Sequence, residues 1–205
     1  MTRETQQATT PADVLRQAKE GNERFLRGEP RRRNPAQDIR ETAAAQQAGA
    51  VVLGCIDSRV PVEIVLDASI GDMFVARVSG NVVNPDVLGS LEYATKVGGA
   101  KLVLVMGHTR CGAVKSACEH VELGNLTGLL TKIAPAVAAV KGVPGGRDST
   151  NEAFVDAAAR ENVRQTMREL REKSPILNGL EQSGDIVIAG CMYDVRTGKV
   201  EFLDR

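Results

Sequence analysis

The chain has 205 residues, which is long enough for one well-buried domain. Lys plus Arg and Asp plus Glu number 26 each, and the sequence pI is about 6.7, so no net charge favours nucleic acid or an anionic membrane as the partner. Aromatic residues make up 3% and tryptophan is absent, so the chain also lacks the stacking side chains that bind single-stranded nucleic acid, and we expect a small-molecule ligand.

The first ten residues, MTRETQQATT, form a polar stretch without the apolar core of a secretion signal. No later segment approaches the roughly 18 consecutive apolar residues that a membrane helix needs. We therefore expect a cytoplasmic protein without membrane association. Its four cysteines are expected to be reduced, buried or metal-bound rather than paired in disulfides.

A helical arm is predicted between this polar stretch and the core of the chain. Thr10 and Pro11 have the residue types of a helix cap and a first helical position, so a helix is predicted at 11–27. A polar break with three consecutive arginines follows, and a second helix is predicted at 35–47. The sequence thus predicts a polar tail, a helical arm and a single α/β core, at 1–10, 11–48 and 50–205.

Short apolar runs rich in β-branched residues predict the strands of a central sheet. They lie at 50–55, 73–78, 101–107 and 185–194, and the run KVEFLD follows a turn near the end of the chain. Helical patterns separate them, at 85–98, 112–141 and 151–173, with a break or kink expected at Pro135. Apolar strands that alternate with helices indicate a parallel sheet covered on both faces. We expect an α/β fold with about four parallel strands, an antiparallel edge strand and flanking helices.

The first predicted strand ends in an unusual trio of side chains. The segment AVVLGCIDSRV places Cys55, Asp57 and Arg59 at alternate positions, and a strand sends alternate residues to the same side. A thiol, a carboxylate and a guanidinium would then face one way where the chain leaves the core. Burial gives no reason for this combination, so we expect the trio to carry chemistry.

A second cluster, GHTRCGAV, closes the third predicted strand with His108 and Cys111. In open α/β sheets the ligand crevice lies beyond the carboxyl ends of the strands, so Cys55 is predicted to meet these two residues there. Two thiolates and an imidazole are a ligand set suited to zinc. Three protein ligands leave one coordination position open, which is typical of catalytic rather than structural zinc sites.

Asp57 is the nearby candidate for a fourth ligand. Arg59 is expected to hold the Asp57 carboxylate away from the metal through a charge-assisted pair, so that Asp57 positions a water molecule instead. Each residue taken singly has an ordinary alternative, since a buried cysteine often fills a core and an Asp–Arg pair is a common surface contact. Cys118 and Cys191 lie in apolar contexts and are predicted to be core residues.

Taken together, the motifs resemble the β-class carbonic anhydrases, zinc enzymes that hydrate carbon dioxide to bicarbonate and a proton. The resemblance rests on CIDSRVPVE (55–63), GDMFVARVSGN (71–81), GSLEYA (89–94), GHTRCGAVK (107–115) and NLTGLLTKI (125–133), which run in order over nearly all of the chain from residue 12 onward. It implies Cys55, His108 and Cys111 as zinc ligands and Asp57 with Arg59 as the catalytic dyad.

The resemblance also implies substrate-binding residues and an assembly. Gln46 matches the substrate-binding glutamine of many relatives by its distance from the first cysteine, with Gln47 as the alternative. Phe74 and Tyr93 match pocket positions that some members contribute across a dimer interface, and Gly112 matches a glycine that lines the site. The implied assembly is a homodimer or a homotetramer.

The activity implied is the reversible hydration of carbon dioxide through a zinc-bound hydroxide. Two thiolates donate more charge to the metal than neutral imidazoles do, so activity is expected to favour alkaline pH. Some relatives have a closed form in which the dyad aspartate ligates zinc, stabilised by bicarbonate in a pocket that includes tryptophan. This chain has no tryptophan, so the open form, with Asp57 paired to Arg59, is expected.

Two alternatives stay open at this point. A hydrolase of carbon disulfide or carbonyl sulfide can use the same zinc site, and only access to the pocket would distinguish it. A non-enzymatic protein can hold a structural zinc with Asp57 as a permanent fourth ligand. The position of Arg59 argues against the second alternative, because a permanent ligand needs no arginine to draw it away.

Overall fold

A computed structural model describes residues 2–203, which form a central five-stranded sheet flanked by helices. The strands are β1 (Ala50–Gly54), β2 (Met73–Arg77), β3 (Leu102–His108), β4 (Val187–Tyr193) and β5 (Val200–Phe202). Their order across the sheet is β2-β1-β3-β4-β5. The first four strands run parallel and β5 pairs antiparallel with β4, which confirms the predicted fold class.

Ten helices surround the sheet in the described part of the chain. They are α1 (Arg3–Ala8), α2 (Pro11–Arg27), α3 (Pro35–Thr42), α4 (Val62–Val65), α5 (Pro85–Glu92), α6 (Gly112–Cys118), α7 (Gly124–Leu130), α8 (Ala134–Ala139), α9 (Glu152–Lys173) and α10 (Pro175–Gln182). A 3₁₀ turn covers Ser79–Asn81, and a π-helical turn at Tyr93–Val97 extends α5. None of these helices is long and apolar enough to cross a membrane.

The N-terminal arm begins with the cap that the sequence predicted. The Thr10 side chain accepts a hydrogen bond from the Asp13 N–H at 3.2 Å, and Pro11 occupies the first turn of α2. The preceding polar tail is a helix in part, because α1 covers Arg3–Ala8. The Gln6 amide is buried and donates to the carbonyl oxygens of Ala48 and Gly98, at 2.9 and 2.7 Å. These long-range hydrogen bonds fix α1 against the core.

The predicted helix at 112–141 is three short helices, α6, α7 and α8. His120, which follows α6, adopts a left-handed φ of 52°, and such a residue ends a helix. The break predicted at Pro135 is present, because a new helix, α8, begins there with Pro135 in its first turn. Proline is tolerated there because the first N–H groups of a helix have no intrahelical partner.

The sheet has an apolar layer on each face, as a parallel sheet requires. Val51 and Leu53 belong to the layer that α5, α6 and α9 cover, whereas Val52 belongs to the layer that α2 and α4 cover. Cys118 and Cys191 are buried in these layers, which confirms them as core residues. The parallel strands direct the carboxyl ends of β1 and β3 to one edge of the sheet.

A buried carboxylate connects the arm to the core. The Asp67 side chain is almost fully buried and pairs with Arg24 at 2.6 Å and with Arg33, and it also accepts from the Arg31 backbone N–H. Burial raises the pKa of Asp67, but the hydrogen bonds from Arg24 and Arg33 outweigh burial and hold this pKa below its usual value. The arginine-rich break is therefore anchored by an ion cluster.

Candidate metal centre

The carboxyl ends of β1 and β3 bring Cys55, His108 and Cys111 together. Cys55 follows the last residue of β1, His108 is the last residue of β3, and Cys111 precedes α6. Their ligand atoms all lie within 4.8 Å of one another, and all three side chains are buried. Bonds from zinc to sulfur or nitrogen are about 2.0–2.3 Å long, so this spacing suits one shared ion.

The hydrogen bond of His108 selects the nitrogen that would face the ion. Its Nδ1 lies 3.0 Å from the Thr109 carbonyl oxygen, which only accepts, so Nδ1 carries the proton. Nε2 then has a free lone pair, and it has no hydrogen-bond partner among the described residues although the side chain is 0% exposed. A buried unpaired nitrogen of this kind is what a metal ligand requires.

The two thiols differ in acidity because each acts on the other. The hydrogen bond from Cys111 is the largest influence and lowers the pKa of Cys55 to about 4, against the opposing effect of burial. The interaction with Cys55, with burial added, raises the pKa of Cys111. The pair therefore favours one shared negative charge, and a divalent cation would supply the positive charge that ionises both thiols.

Asp57 lies beside this group but is held by Arg59. The guanidinium donates to both carboxylate oxygens, from Nε at 3.0 Å and from Nη2 at 2.7 Å, and the Arg59 backbone N–H donates at 2.9 Å. These bonds, the side-chain bonds first, lower the pKa of Asp57 to about 2 against partial burial, so the carboxylate is ionised at neutral pH. Its Oδ2 is 3.9 Å from His108 Nε2.

The contact between Asp57 and Arg59 is present as predicted, but its structural cause is not the alternation of a strand. β1 ends at Gly54, so the alternation of a strand does not extend to Asp57 and Arg59. Instead the chain turns, with the Val60 N–H donating to the Asp57 carbonyl oxygen at 3.0 Å, and the Asp57 side chain accepts from the backbone two residues on. A local turn therefore places the pair.

Two further arginines hold this turn, and the sequence prediction missed their roles. Arg77 donates from Nε to the Cys55 carbonyl oxygen at 2.8 Å and from Nη2 to the Asp57 carbonyl oxygen at 2.6 Å. The Arg110 carbonyl oxygen accepts from Arg59 at 3.3 Å. Arg77 ends β2 beside the end of β1, and a charged residue at that position is a signal that sequence reasoning can use.

The predicted pocket residues divide between two regions of the chain. Gly112 is exposed at the start of α6, next to Cys111, and an added Cβ would meet no atom within 4 Å. Phe74 and Tyr93 form an edge-to-face pair with ring centroids 6.5 Å apart, and Tyr93 is 53% exposed. Phe74 is opposite Val51 in the sheet, near the amino end of β1. Of these three predicted pocket residues, only Gly112 adjoins the candidate metal-binding group of its own chain.

Gln46 lies at the opposite end of β1 from Cys55. It precedes the strand, is exposed, and lines a polar groove with Gly98 and Lys101. The five residues of β1 alone span about 16 Å, so Gln46 does not reach the candidate metal-binding group of its own chain. Gln47 is half-buried and its amide oxygen has no partner among the described residues. Both glutamines line this groove, and Gln46 is the more exposed of the two.

Comparison with known proteins shows that this chain is similar to carbonic anhydrases. A family model described as carbonic anhydrase matches residues 50–200. "Carbonic anhydrase 2" of Mycobacterium tuberculosis is 36% identical over 202 residues, covering 96% of this chain and 94% of that protein. A carbonic anhydrase of Mycolicibacterium smegmatis is 34% identical over 201 residues, covering 94% and 93%.

Solved structures give the same result for the fold. A β-carbonic anhydrase of Aspergillus fumigatus superposes with a TM-score of 0.70 at 28% identity, covering 82% of this chain and 81% of that chain. A structure described among two tetrameric β-carbonic anhydrases of Sordaria macrospora has a TM-score of 0.70 at 21% identity, covering 83% and 91%. Because its sequence identity is 21%, the similarity to the Sordaria macrospora structure supports the fold alone.

Proposed function

The chain belongs to the β-class carbonic anhydrase family, and from this premise we propose that it hydrates carbon dioxide to bicarbonate and a proton, reversibly, with zinc held by Cys55, His108 and Cys111. The observation that carries the proposal is the Nε2 of buried His108, which has no hydrogen-bond partner within residues 2–203 and lies between two thiols and beside a carboxylate that an arginine holds. Zinc fits this donor set by ligand type, number and burial.

When bound there, zinc supplies a Lewis acid and a hydroxide nucleophile near neutral pH. The protein orients the reaction through Asp57. Because the pKa of Asp57 is lowered to about 2, this carboxylate can only accept a hydrogen bond at neutral pH, and it would accept one from the oxygen that attacks carbon dioxide. This hydrogen bond would orient the oxygen toward carbon dioxide, while the two hydrogen bonds from Arg59 would keep the carboxylate from ligating the metal.

The contact between Asp57 and Arg59 also favours a catalytic over a structural zinc site. A structural zinc usually has four protein ligands, and Asp57 is the candidate for the fourth. Both of its oxygens are instead engaged by Arg59, which supports an open position for the substrate. The open Asp57–Arg59 form expected from the sequence is thus the form that supports our proposal.

We further propose that the active enzyme is a homo-oligomer in which a second copy completes each pocket. Gln46, Phe74 and Tyr93 lie near the amino end of β1, away from the metal ligands of their own chain. An exposed glutamine can donate to a bicarbonate oxygen, and two aromatic rings can form an apolar wall. Tetrameric β-carbonic anhydrases with this fold support an assembly of this kind. None of the four cysteines forms a disulfide, which suits a reducing compartment such as the cytoplasm.

Complementation between two inactive variants tests the shared pocket. Cys111→Ser removes a metal ligand, and Gln46→Ala with Tyr93→Ala removes the predicted donor and ring from the other region. In a mixed oligomer, the Cys111→Ser chain supplies an intact Gln46 and Tyr93 to the intact metal group of its partner, so activity should reappear on mixing. A mixture that exchanges subunits yet stays inactive would contradict the proposal, as would light scattering that shows an active monomer of 21.9 kDa.

A further inference from the structure

The turn that follows β2 donates a hydrogen bond to one of the metal-binding thiols. The Gly80 N–H lies 3.3 Å from Cys55 Sγ. Gly80 has a φ of +66°, and the next residue, Asn81, also has a positive φ, of +45°. A Cβ added at Gly80 would lie 2.6 Å from the Ile133 side chain, so no other residue fits this backbone without displacement. The N–H therefore depends on an unusual and crowded backbone conformation.

Two side chains of α9 hold this turn from behind. Asn162 donates from Nδ2 to the Gly80 carbonyl oxygen at 2.7 Å, and Thr166, one helical turn later, donates to the Asn81 carbonyl oxygen at 3.2 Å. Both side chains are buried, and the Asn162 Oδ1 has no hydrogen-bond partner within residues 2–203. An amide with an unpaired oxygen is unfavourable in an apolar layer, where a leucine would fill similar space. The hydrogen bond that Asn162 donates to Gly80 explains why this amide is present in the layer.

We infer that Asn162 is a positioning residue of the metal centre, since it fixes Gly80 so that the Gly80 N–H is directed at the Cys55 sulfur. This inference rests on the proposed zinc site. An N–H···S hydrogen bond orients a thiolate ligand and withdraws charge from its sulfur, so it affects both the affinity for the metal and the energy of the sulfur electrons. Asn162 acts only through Gly80 and touches neither metal nor substrate.

The substitution Asn162→Leu removes the amide donor and keeps most of the volume. Zinc affinity, measured by competition with a chelator, is expected to fall by about 10- to 100-fold. In the cobalt-substituted protein, the sulfur-to-cobalt charge-transfer band should move to longer wavelength, because the sulfur electrons lose the stabilisation from the Gly80 N–H. The band position reports on the sulfur itself, which a general loss of stability does not change.

Asn151→Ala is the matched control on the same helix. Asn151 caps α9 and accepts from the Phe154 N–H at 3.2 Å, and it lies about 16 Å along the helix from Asn162. Its replacement should lower the stability of the fold and leave both the zinc affinity and the charge-transfer band unchanged. Equal loss of affinity in the two variants would show a general stability effect and would overturn the inference.

The remaining outcomes also decide the matter. Unchanged affinity and band in Asn162→Leu would overturn the inference, and so would weaker affinity with an unmoved band. If that variant does not fold, the wild type provides the test, because replacement of zinc by cadmium should shift the amide resonance of Gly80 more than amides away from the site. A Gly80 resonance that does not respond refutes the hydrogen bond. A wild-type chain that binds no zinc refutes the proposed function as well.

Discussion

Replacement of Arg59 by alanine is expected to let Asp57 occupy the open position of the metal site. Two guanidinium hydrogen bonds, at 3.0 and 2.7 Å, hold the carboxylate in its present orientation. The carboxylate already lies 3.9 Å from His108 Nε2, so a small side-chain rotation brings it to the metal. Cys55, His108 and Cys111 are untouched by the substitution, so the variant should retain its zinc.

The magnitude follows from the geometry of the pair. A hydrogen bond to a charged group contributes about 1.5–3 kcal/mol, but the Arg59 side chain is 51% exposed, so solvent screening reduces the value to about 1–2 kcal/mol. This changes the balance between the open and closed positions of Asp57 by a factor of about 5–30. Activity at neutral pH should therefore fall by about tenfold while the zinc content stays at one per chain.

Cobalt substitution, metal analysis and stopped-flow hydration together test this prediction. The visible spectrum of cobalt should change in Arg59→Ala because a carboxylate replaces water among the ligands. Arg196→Ala is a matched control, since Arg196 pairs with Asp194 at the same spacing of two residues, at 3.4 Å, and is similarly exposed. The control should keep the wild-type spectrum and activity. Full activity and an unchanged cobalt spectrum in Arg59→Ala would refute the role of Arg59.

Three further predictions concern the metal, the arm and the pH dependence. Cys111→Ser should bind far less zinc than one ion per chain, whereas Cys118→Ser, which alters a core thiol, should bind the full amount; full occupancy of Cys111→Ser would exclude Cys111 as a ligand. Asp67→Asn should lower the free energy of unfolding by about 1–3 kcal/mol at neutral pH, because it removes the charge-assisted hydrogen bonds that the buried carboxylate accepts from the part-exposed Arg24 and Arg33. Hydrogen bonds from Arg24 and Arg33 outweigh burial and hold the pKa of Asp67 in the folded protein below its usual value. Ionised Asp67 therefore stabilises the folded protein fully above about pH 4, the ordinary pKa of an aspartate, and this stabilisation is lost as the pH falls through the lower pKa of the folded state. Urea unfolding should show that the difference in the free energy of unfolding between the wild type and Asp67→Asn becomes smaller in acid. A difference that does not change with pH would contradict the ion pairs. The rate of hydration should rise from neutral to alkaline pH, because two thiolate ligands make the coordinated water less acidic; a rate that is maximal in acid would contradict this ligand set.

The strands and the grouping of Cys55, His108 and Cys111 were predictable because their signals are local or follow from the sheet. Cys55 and His108 close two apolar runs, and parallel strands bring such ends to the same edge. Caps were predictable for the same reason, since Thr10 and Pro11 specify the start of α2 within four residues. The Ser174–Pro175 pair gives the same signal for α10, which the sequence prediction did not include.

The remaining features depend on contacts between distant parts of the chain. Asn162 lies 82 residues from Gly80, and no local pattern connects a helix residue to a turn at that distance. The polar sequence of α1 gave no sign of a buried Gln6, because its partners are backbone carbonyl oxygens at Ala48 and Gly98. Similarly, the distance of Gln46 from Cys55 along the chain did not reveal that a whole strand separates them in space.

Stopped-flow measurement with the zinc-loaded protein decides the claim that this chain hydrates carbon dioxide. We expect hydration far faster than in buffer, and we expect it to be lost in Cys111→Ser, which cannot complete the ligand set. The zinc content of both samples is measured alongside, so that inactivity through lack of metal is recognised. A wild-type protein with one zinc per chain and no hydration above the buffer rate would contradict the claim.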